Sequence, residues 1–259
     1  MFYQYRSMNK KLISLKDKLK NGEFTIGTWC IIPSEHVVNI LAKAGLDFVL
    51  IDMEHGTANL ECVYKMVLAA NAEGVDALVR VSSNDESEIL KVLDVGAAGV
   101  IIPHIETVND CKQALSFTKF PPMGQRGYSP YVRAGGYAVQ PDFISSENDK
   151  ILTGIIIESL EGIKNLDLIL EEKELDIVYI GVYDISVGLG IAGDVKNEKI
   201  INILTDCTQK IVASGKIAAG LFNTEEDMKF FKQIGINFAC YGVDTSVLYK
   251  NFNEMVSKV

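Results

Sequence analysis

Much of what this 259-residue chain could be is excluded by what it lacks. No CxxC pair occurs. The five cysteines, Cys30, Cys62, Cys111, Cys207 and Cys240, are scattered and odd in number. That argues against a disulfide framework or a zinc site and for a reducing, cytoplasmic setting. Arg6, Lys10 and Lys11 are not followed by an apolar core, so no signal peptide is expected. No run of 18 apolar residues is present to form a transmembrane helix. Basic residues number 25 against 34 acidic ones, a net charge of −9, which argues against nucleic acid or an anionic membrane as partner. There is no G-x-G-x-x-G turn, P-loop or G-x-S-x-G elbow, no low-complexity tract and no clear domain linker.

What is present is a large apolar fraction, 48 % of residues, in a repeating arrangement. Eight short apolar runs occur: TIGTWCII (25–32), FVLID (48–52), ALVRV (77–81), GVIIP (99–103), TGIIIE (153–158), IVYIG (177–181), AAGLF (218–222) and FACYG (238–242). Most are near-continuously apolar, as strands of a buried parallel sheet are. Amphipathic helical stretches are expected near 34–44, 59–73, 85–95, 107–118, 162–171, 197–214, 224–234 and 244–257. Asn84, Thr107 and Thr224 stand where N-caps belong, and Gly45, Gly74, Gly96 and Gly235 where C′ glycines belong. Leu12, Leu15 and Leu19 among lysines read as a lead-in helix over 9–20. The expectation is an α/β chain, one (β/α)₈ TIM-barrel domain over residues 1–259 with an N-terminal lead-in helix. The doubly wound open sheet is the alternative. Residues 121–149, holding four prolines, four glycines, three tyrosines and two of the four arginines, form a long connection from a helix to the fifth strand. It starts at the bottom of the barrel and is either functional or packed on a partner subunit.

Barrel enzymes place their chemistry at the C-terminal ends of the strands. There the sequence puts Asp52, Glu54 and His55 after the second strand, Arg80 in the third, and His104 after the fourth. Glu158 ends the fifth strand, Asp184 follows the sixth, Asn223 the seventh and Asp244 the eighth. Neighbouring strands lie about 4.8 Å apart, so Glu158 and Asp184 can share one ion. Two carboxylates with no Cys or His suit Mg²⁺ or Mn²⁺ better than zinc. Alternatively these acids cap helices, Asp184 ahead of ISVGLG in particular. His55 is the natural general base, because histidine alone titrates near neutrality unaided; otherwise it is a loop residue with no role. Asp52 and Glu54 are close enough to hold or tune it. Arg80 interrupts an apolar strand and must meet an anion, either Asp52 or Glu54 or a substrate oxyanion. His104 is equally well a structural or a functional residue. No lysine ends a strand, since Lys216 precedes the seventh, which disfavours Schiff-base aldol chemistry.

The stretches GTW, AGLDFVLIDMEH, LVRVSSND, LKVLDVGAAGVIIPHIET, KFPPMGQRG, IIIESLEGIKNLD, VYIGVYDIS and ACYGVDTSVL, in this order from Gly27 to Leu248, resemble the class II, metal-dependent pyruvate aldolases of the HpcH/HpaI group. The resemblance implies His55 as catalytic base and Arg80 as the residue that stabilises the developing oxyanion. It implies Asp94 as the acid that raises the basicity of the histidine, and Glu158 and Asp184 as ligands of Mg²⁺, Mn²⁺ or Co²⁺. The backbone at Tyr183 and Asp184 matches the surface that binds the pyruvate carboxylate. It further implies a homo-oligomer, a hexamer or trimer, in which the last helix packs on a neighbour. Three positions depart from the family pattern. Met53 replaces a glycine, Ile156 replaces a glutamine that contacts the keto acid, and Val182-Tyr183 replaces Pro-Ala/Ser. The metal and base positions are intact while the keto-acid pocket is reshaped. The implied activity is reversible cleavage of a 4-hydroxy-2-oxo acid to pyruvate and an aldehyde. Its rivals are a lyase or decarboxylase acting on another 2-oxo acid or sugar-derived acid, and a barrel that binds without catalysis.

Overall fold

The eight apolar runs become eight strands: β1 (Thr25–Cys30), β2 (Phe48–Asp52), β3 (Asp76–Arg80), β4 (Gly99–Ile102), β5 (Leu152–Ile157), β6 (Ile177–Ile180), β7 (Ile217–Phe222) and β8 (Phe238–Val243). The computed structural model describes residues 13–258. All neighbouring strands pair in parallel, and β8 returns to β1, so the sheet closes as a barrel in chain order. The expected (β/α)₈ TIM barrel is what forms.

Alternate residues of each strand point to opposite sides of the sheet, and they divide the core in two. Phe48, Leu50, Leu78, Ile101, Ile156, Tyr179 and Phe238 fill the barrel interior. Val49, Ile51, Val79, Val100, Ile155 and Val178 face the surrounding helices. Both faces are dry, which is why the strands read as continuous apolar runs rather than alternating ones.

The helices are α1 (Leu15–Lys20), α2 (Glu35–Lys43), α3 (Leu60–Ala72), α4 (Glu86–Asp94), α5 (Val108–Thr118), α6 (Phe143–Lys150), α7 (Leu160–Ile169), α8 (Val182–Gly188), α9 (Glu198–Ala213), α10 (Glu225–Ile234) and α11 (Asp244–Val256). α1 closes the floor of the barrel. Leu15 and Leu19 join the interior core, the Leu15 N–H donates to Asp76 at the start of β3, and Lys18 pairs with Asp47 just before β2. Of the expected lead-in helix, residues 9–12 lie outside the described residues, and Ser14 caps the helix that follows.

Thr107 and Thr224 cap α5 and α10 as expected. Asn84 does not cap α4; Asp85 does, accepting from the Glu88 N–H. Asn84 instead donates across to the Asp110 carbonyl in α5. Gly45, Gly74, Gly96 and Gly235 all have positive φ at helix ends. α7 starts at Leu160 rather than 162, because Ser159 caps it by accepting from the Gly162 N–H. The 121–149 connection carries the unanticipated α6. It also folds back under α4, where Arg126 pairs with Asp94 and Arg133 donates to the Val95 carbonyl.

Candidate active site

Asp52, the last residue of β2, is 1 % exposed and organises one side of the rim. Its carboxylate accepts from Arg80 Nε at 2.9 Å and Nη2 at 2.6 Å, a bidentate pair between the neighbouring ends of β2 and β3. The same carboxylate accepts the backbone N–H groups of Glu54 and His55 at 3.0 and 3.2 Å. A single buried anion thus fixes both the guanidinium and the turn that carries His55. Glu54 Oε2 lies 2.9 Å from Arg80 Nη1 as an ion contact without hydrogen-bond geometry. Burial works against the charge of Arg80, but hydrogen bonding and charge from Asp52, then Glu54, outweigh it and raise its pKa. The guanidinium also sits 4.4 Å over the Trp29 ring, and Trp29 donates to the Tyr179 hydroxyl inside the barrel at 3.1 Å. Nη1 and Nη2 each carry a second N–H, so the arginine retains donor capacity toward a substrate oxygen.

The second half of the rim is built on β4, β5 and β6. Glu158 follows β5 directly and is 9 % exposed. Its Oε1 accepts the His104 backbone N–H at 2.7 Å and lies 2.9 Å from His104 Nδ1. Gly181 follows β6, and a methyl group there would stand 2.6 Å from Glu158 Cβ and 3.3 Å from Oε2. The glycine leaves the space that Oε2 faces. Asp184 is exposed in the first turn of α8, whose N-cap is Gly181, so Asp184 is not itself the cap. Burial, first, then the charges of Glu54 and Asp184 raise the pKa of Glu158, against the His104 N–H and charge that lower it.

This donor set can be tested against a divalent cation. Two carboxylates, Glu158 after β5 and Asp184 in the first turn of α8, whose charges oppose one another, gain from a counter-ion between them. Among the described residues no three His, Cys, Asp or Glu side chains are arranged to hold a metal. A cation at Glu158 and Asp184 would draw most of its shell from water and substrate, the habit of Mg²⁺ rather than of structural zinc. The residues fit such an ion.

Of the residues singled out from sequence, His55, Arg80, Glu158, Tyr183 and Asp184 come to this one end of the barrel. The His55 and Tyr183 side chains are exposed. Ile156 is buried in the barrel interior, paired in register with Tyr179. Asp94 is not brought to the rim of its own chain. It ends α4 at the opposite end of the barrel, 3.0 Å from Arg126, and burial raises its pKa against the pull of that arginine. Asp244 accepts the Ile31 and Ile32 N–H groups and so ties α11 to the end of β1. Glu54 does not hold the His55 ring, as its carboxylate faces Arg80 and His104. The Glu54–His104–Glu158 array was not legible in sequence, where His104 gave only its place on the rim. Two clefts of about 530 and 420 Å³ lie at the other end of the barrel, among residues such as Lys16, Lys20, Lys119 and Lys216, away from these groups.

The arrangement has relatives. A 4-hydroxy-2-oxo-heptane-1,7-dioate aldolase of Escherichia coli is 33 % identical over 95 % of this chain and 94 % of its own. One from Klebsiella pneumoniae is 32 % identical over 95 % and 93 %. Among solved structures, citrate synthase SbnG superposes with a TM-score of 0.87 at 28 % identity, covering 95 % of this chain and 96 % of its own. An HpcH/HpaI aldolase from Desulfitobacterium hafniense gives 0.89 at 25 %, with 95 % and 96 % covered. The sequence profile of the HpcH/HpaI aldolase/citrate lyase group matches residues 25–250, and the chain belongs to that family.

Proposed function

We propose that the protein is a metal-dependent aldolase, a carbon–carbon lyase, that reversibly cleaves a 4-hydroxy-2-oxo acid to pyruvate and an aldehyde. The observation that carries the reading is Glu158, just after β5, within electrostatic reach of Asp184 in the first turn of α8, beside a turn in which Asp52 fixes both Arg80 and the His55 backbone. A divalent cation held by Glu158 and Asp184, Mg²⁺, Mn²⁺ or Co²⁺, supplies Lewis acidity to the 2-oxo group when bound. His55 takes the proton of the C4 hydroxyl. The C3–C4 bond then breaks, its electron pair passes toward the 2-oxo carbonyl, and the C4 oxygen becomes the aldehyde. The remaining N–H groups of Arg80 steady the negative charge on that oxygen as the proton leaves. Backbone at Tyr183 and Asp184, at the N-terminal end of α8, offers N–H groups to the substrate carboxylate. Asp94 acts on His55 only if a second copy brings it there.

The test is cleavage of a panel of 4-hydroxy-2-oxo acids by the metal-loaded protein, with pyruvate measured by coupled reduction to lactate. Pyruvate release that His55→Ala abolishes supports the reading, and full rate in that variant overturns the role of His55. A second reading, a lyase or decarboxylase on another 2-oxo acid, draws on Ile156. Its buried aliphatic side chain offers a keto acid no hydrogen bond. Oxaloacetate consumed without any aldehyde formed from the panel favours that alternative.

The assembly we propose is a homo-oligomer, trimer or hexamer, in a reducing cytoplasm. Tyr249, Phe252, Met255 and Val256 of α11 are each more than 60 % exposed, an apolar face that suits packing on a second copy. Sedimentation of the purified protein as a monomer at micromolar concentration contradicts this.

A further inference from the structure

Two carboxylates on separate strand ends, Glu54 after β2 and Glu158 after β5, face the same imidazole. His104 Nε2 lies 2.9 Å from Glu54 Oε1, and Nδ1 lies 2.9 Å from Glu158 Oε1. The His104 side chain is 63 % exposed, whereas the two carboxylates are 10 % and 8 % exposed. The ring thus lies largely in solvent across the mouth, in ion contact with both carboxylates. Its backbone is equally unusual. His104 has φ of 58°, a left-handed conformation that persists in a non-glycine residue only where its surroundings over-determine it. With the residue in that conformation, the His104 N–H donates to Glu158 Oε1 at 2.7 Å. Main chain and side chain of one residue therefore converge on one oxygen of Glu158. The other oxygen, Oε2, faces the space beside Gly181.

We propose that His104 is a positioning residue for the cation-binding carboxylate: it anchors Glu158 Oε1, so that Oε2 alone is presented toward Asp184 and the bound ion. The proposal rests on the cation reading of the previous subsection. Through Glu54, the same ring ties the metal carboxylate to Arg80 and Asp52. The ion site and the turn bearing His55 are thereby joined in one chain of charged contacts.

Two substitutions separate the ring from the backbone. Glycine adopts the left-handed conformation without strain, so His104→Gly keeps the turn and the N–H donor and removes only the ring. Asparagine also tolerates this conformation, and His104→Asn places an amide N–H near the site of Nδ1 without reaching Glu54. The readout is the dissociation constant of Mn²⁺ for the metal-stripped full chain, from the electron paramagnetic resonance signal of unbound Mn²⁺. Loss of a partner that orients a metal ligand weakens binding about 10- to 100-fold, and that is the result expected for His104→Gly. His104→Asn is expected to recover most of the loss. Mn²⁺ bound by His104→Gly as tightly as by the wild type, or more tightly, overturns the proposal. So does His104→Asn binding no better than His104→Gly. A wild-type chain that binds no Mn²⁺ overturns the cation reading itself, a result distinct from both.

Discussion

Replacing Asp52 with asparagine probes the element that joins fold to chemistry. The side chain is 1 % exposed and accepts four hydrogen bonds, two from Arg80 and one each from the Glu54 and His55 N–H groups. An asparagine in its place would keep one oxygen for the two backbone donors. That oxygen would also still accept from Arg80 Nε, but toward Nη2 it would turn an NH₂ group, so that donor faces donor there and a buried guanidinium loses its principal counter-charge. Removing one partner of a buried ion pair costs about 3–5 kcal/mol. Glu54, 2.9 Å from Nη1, compensates in part, so Asp52→Asn is expected near the lower end, about 3 kcal/mol. For a domain of this size each kcal/mol moves the melting temperature by about 2–4 °C, so the expected fall is about 6–12 °C. Urea unfolding followed by circular dichroism at pH 7 measures the free energy. The pair Asp52→Leu and Arg80→Met, made singly and together, measures the coupling. The double variant is expected to lose less than the sum of the singles by about 1–3 kcal/mol. A loss under about 1 kcal/mol for Asp52→Asn, or strict additivity in the cycle, refutes the assignment of Asp52 as the anchor.

Other perturbations test other parts of the account. Gly181→Ala places a methyl group 2.6 Å from Glu158 Cβ; the carboxylate must turn, and Mn²⁺ affinity is expected to fall about 10-fold or more, measured by titration calorimetry. Unchanged affinity would show that Glu158 does not need that space. Leu15→Ala or Leu19→Ala opens a cavity at the barrel floor and is expected to cost about 2–5 kcal/mol each in chemical denaturation; a loss below about 1 kcal/mol would mean α1 is not part of the core. Burial pushes the thiols of Cys111 and Cys207 up to about 12 and about 11. At pH 8, below both values, they stay protonated and unreactive. Cys62, only partly buried, is expected to give the fast phase with a thiol-specific reagent, and Cys62→Ser to abolish it.

The barrel was legible because a parallel sheet buried on both faces writes itself as short apolar runs, and the eight runs match the eight strands to within two residues. Helix ends were legible where a cap side chain or a C′ glycine marks them, as at Thr107 and Gly96. They were misplaced where the next residue competes for the role, as Asp85 does with Asn84. α6 was hidden within a connection rich in proline and glycine, and α7 begins two residues ahead of the expected Gly162 because Ser159, not recognised as a cap, accepts from the N–H of that glycine. Its place there follows from contact, because a methyl group at 162 would stand 2.9 Å from the Ile105 carbonyl oxygen.

At the site, position along the strands was enough to gather His55, Arg80, Glu158 and Asp184 at one end of the barrel. Pairings were not, since the sequence left Arg80 with two bland partners and a substrate, and the structure gives it both Asp52 and Glu54. The contact of His104 with Glu158 depends on a left-handed turn at a residue with no intrinsic preference strong enough to announce it. Asp94 illustrates the reverse case, a role implied by resemblance alone that contacts within one chain do not supply.

The central claim is that this rim activates a 2-oxo acid for carbon–carbon chemistry, and proton exchange of pyruvate tests it without knowledge of the aldehyde. Pyruvate in D₂O is followed by NMR with the metal-stripped protein and again after Mg²⁺ or Mn²⁺ is restored. The account predicts exchange of the methyl protons that depends on the metal and is lost in Glu158→Gln. Absence of exchange while the metal is demonstrably bound would contradict it and would assign the pocket around Ile156 and Tyr183 to a different substrate.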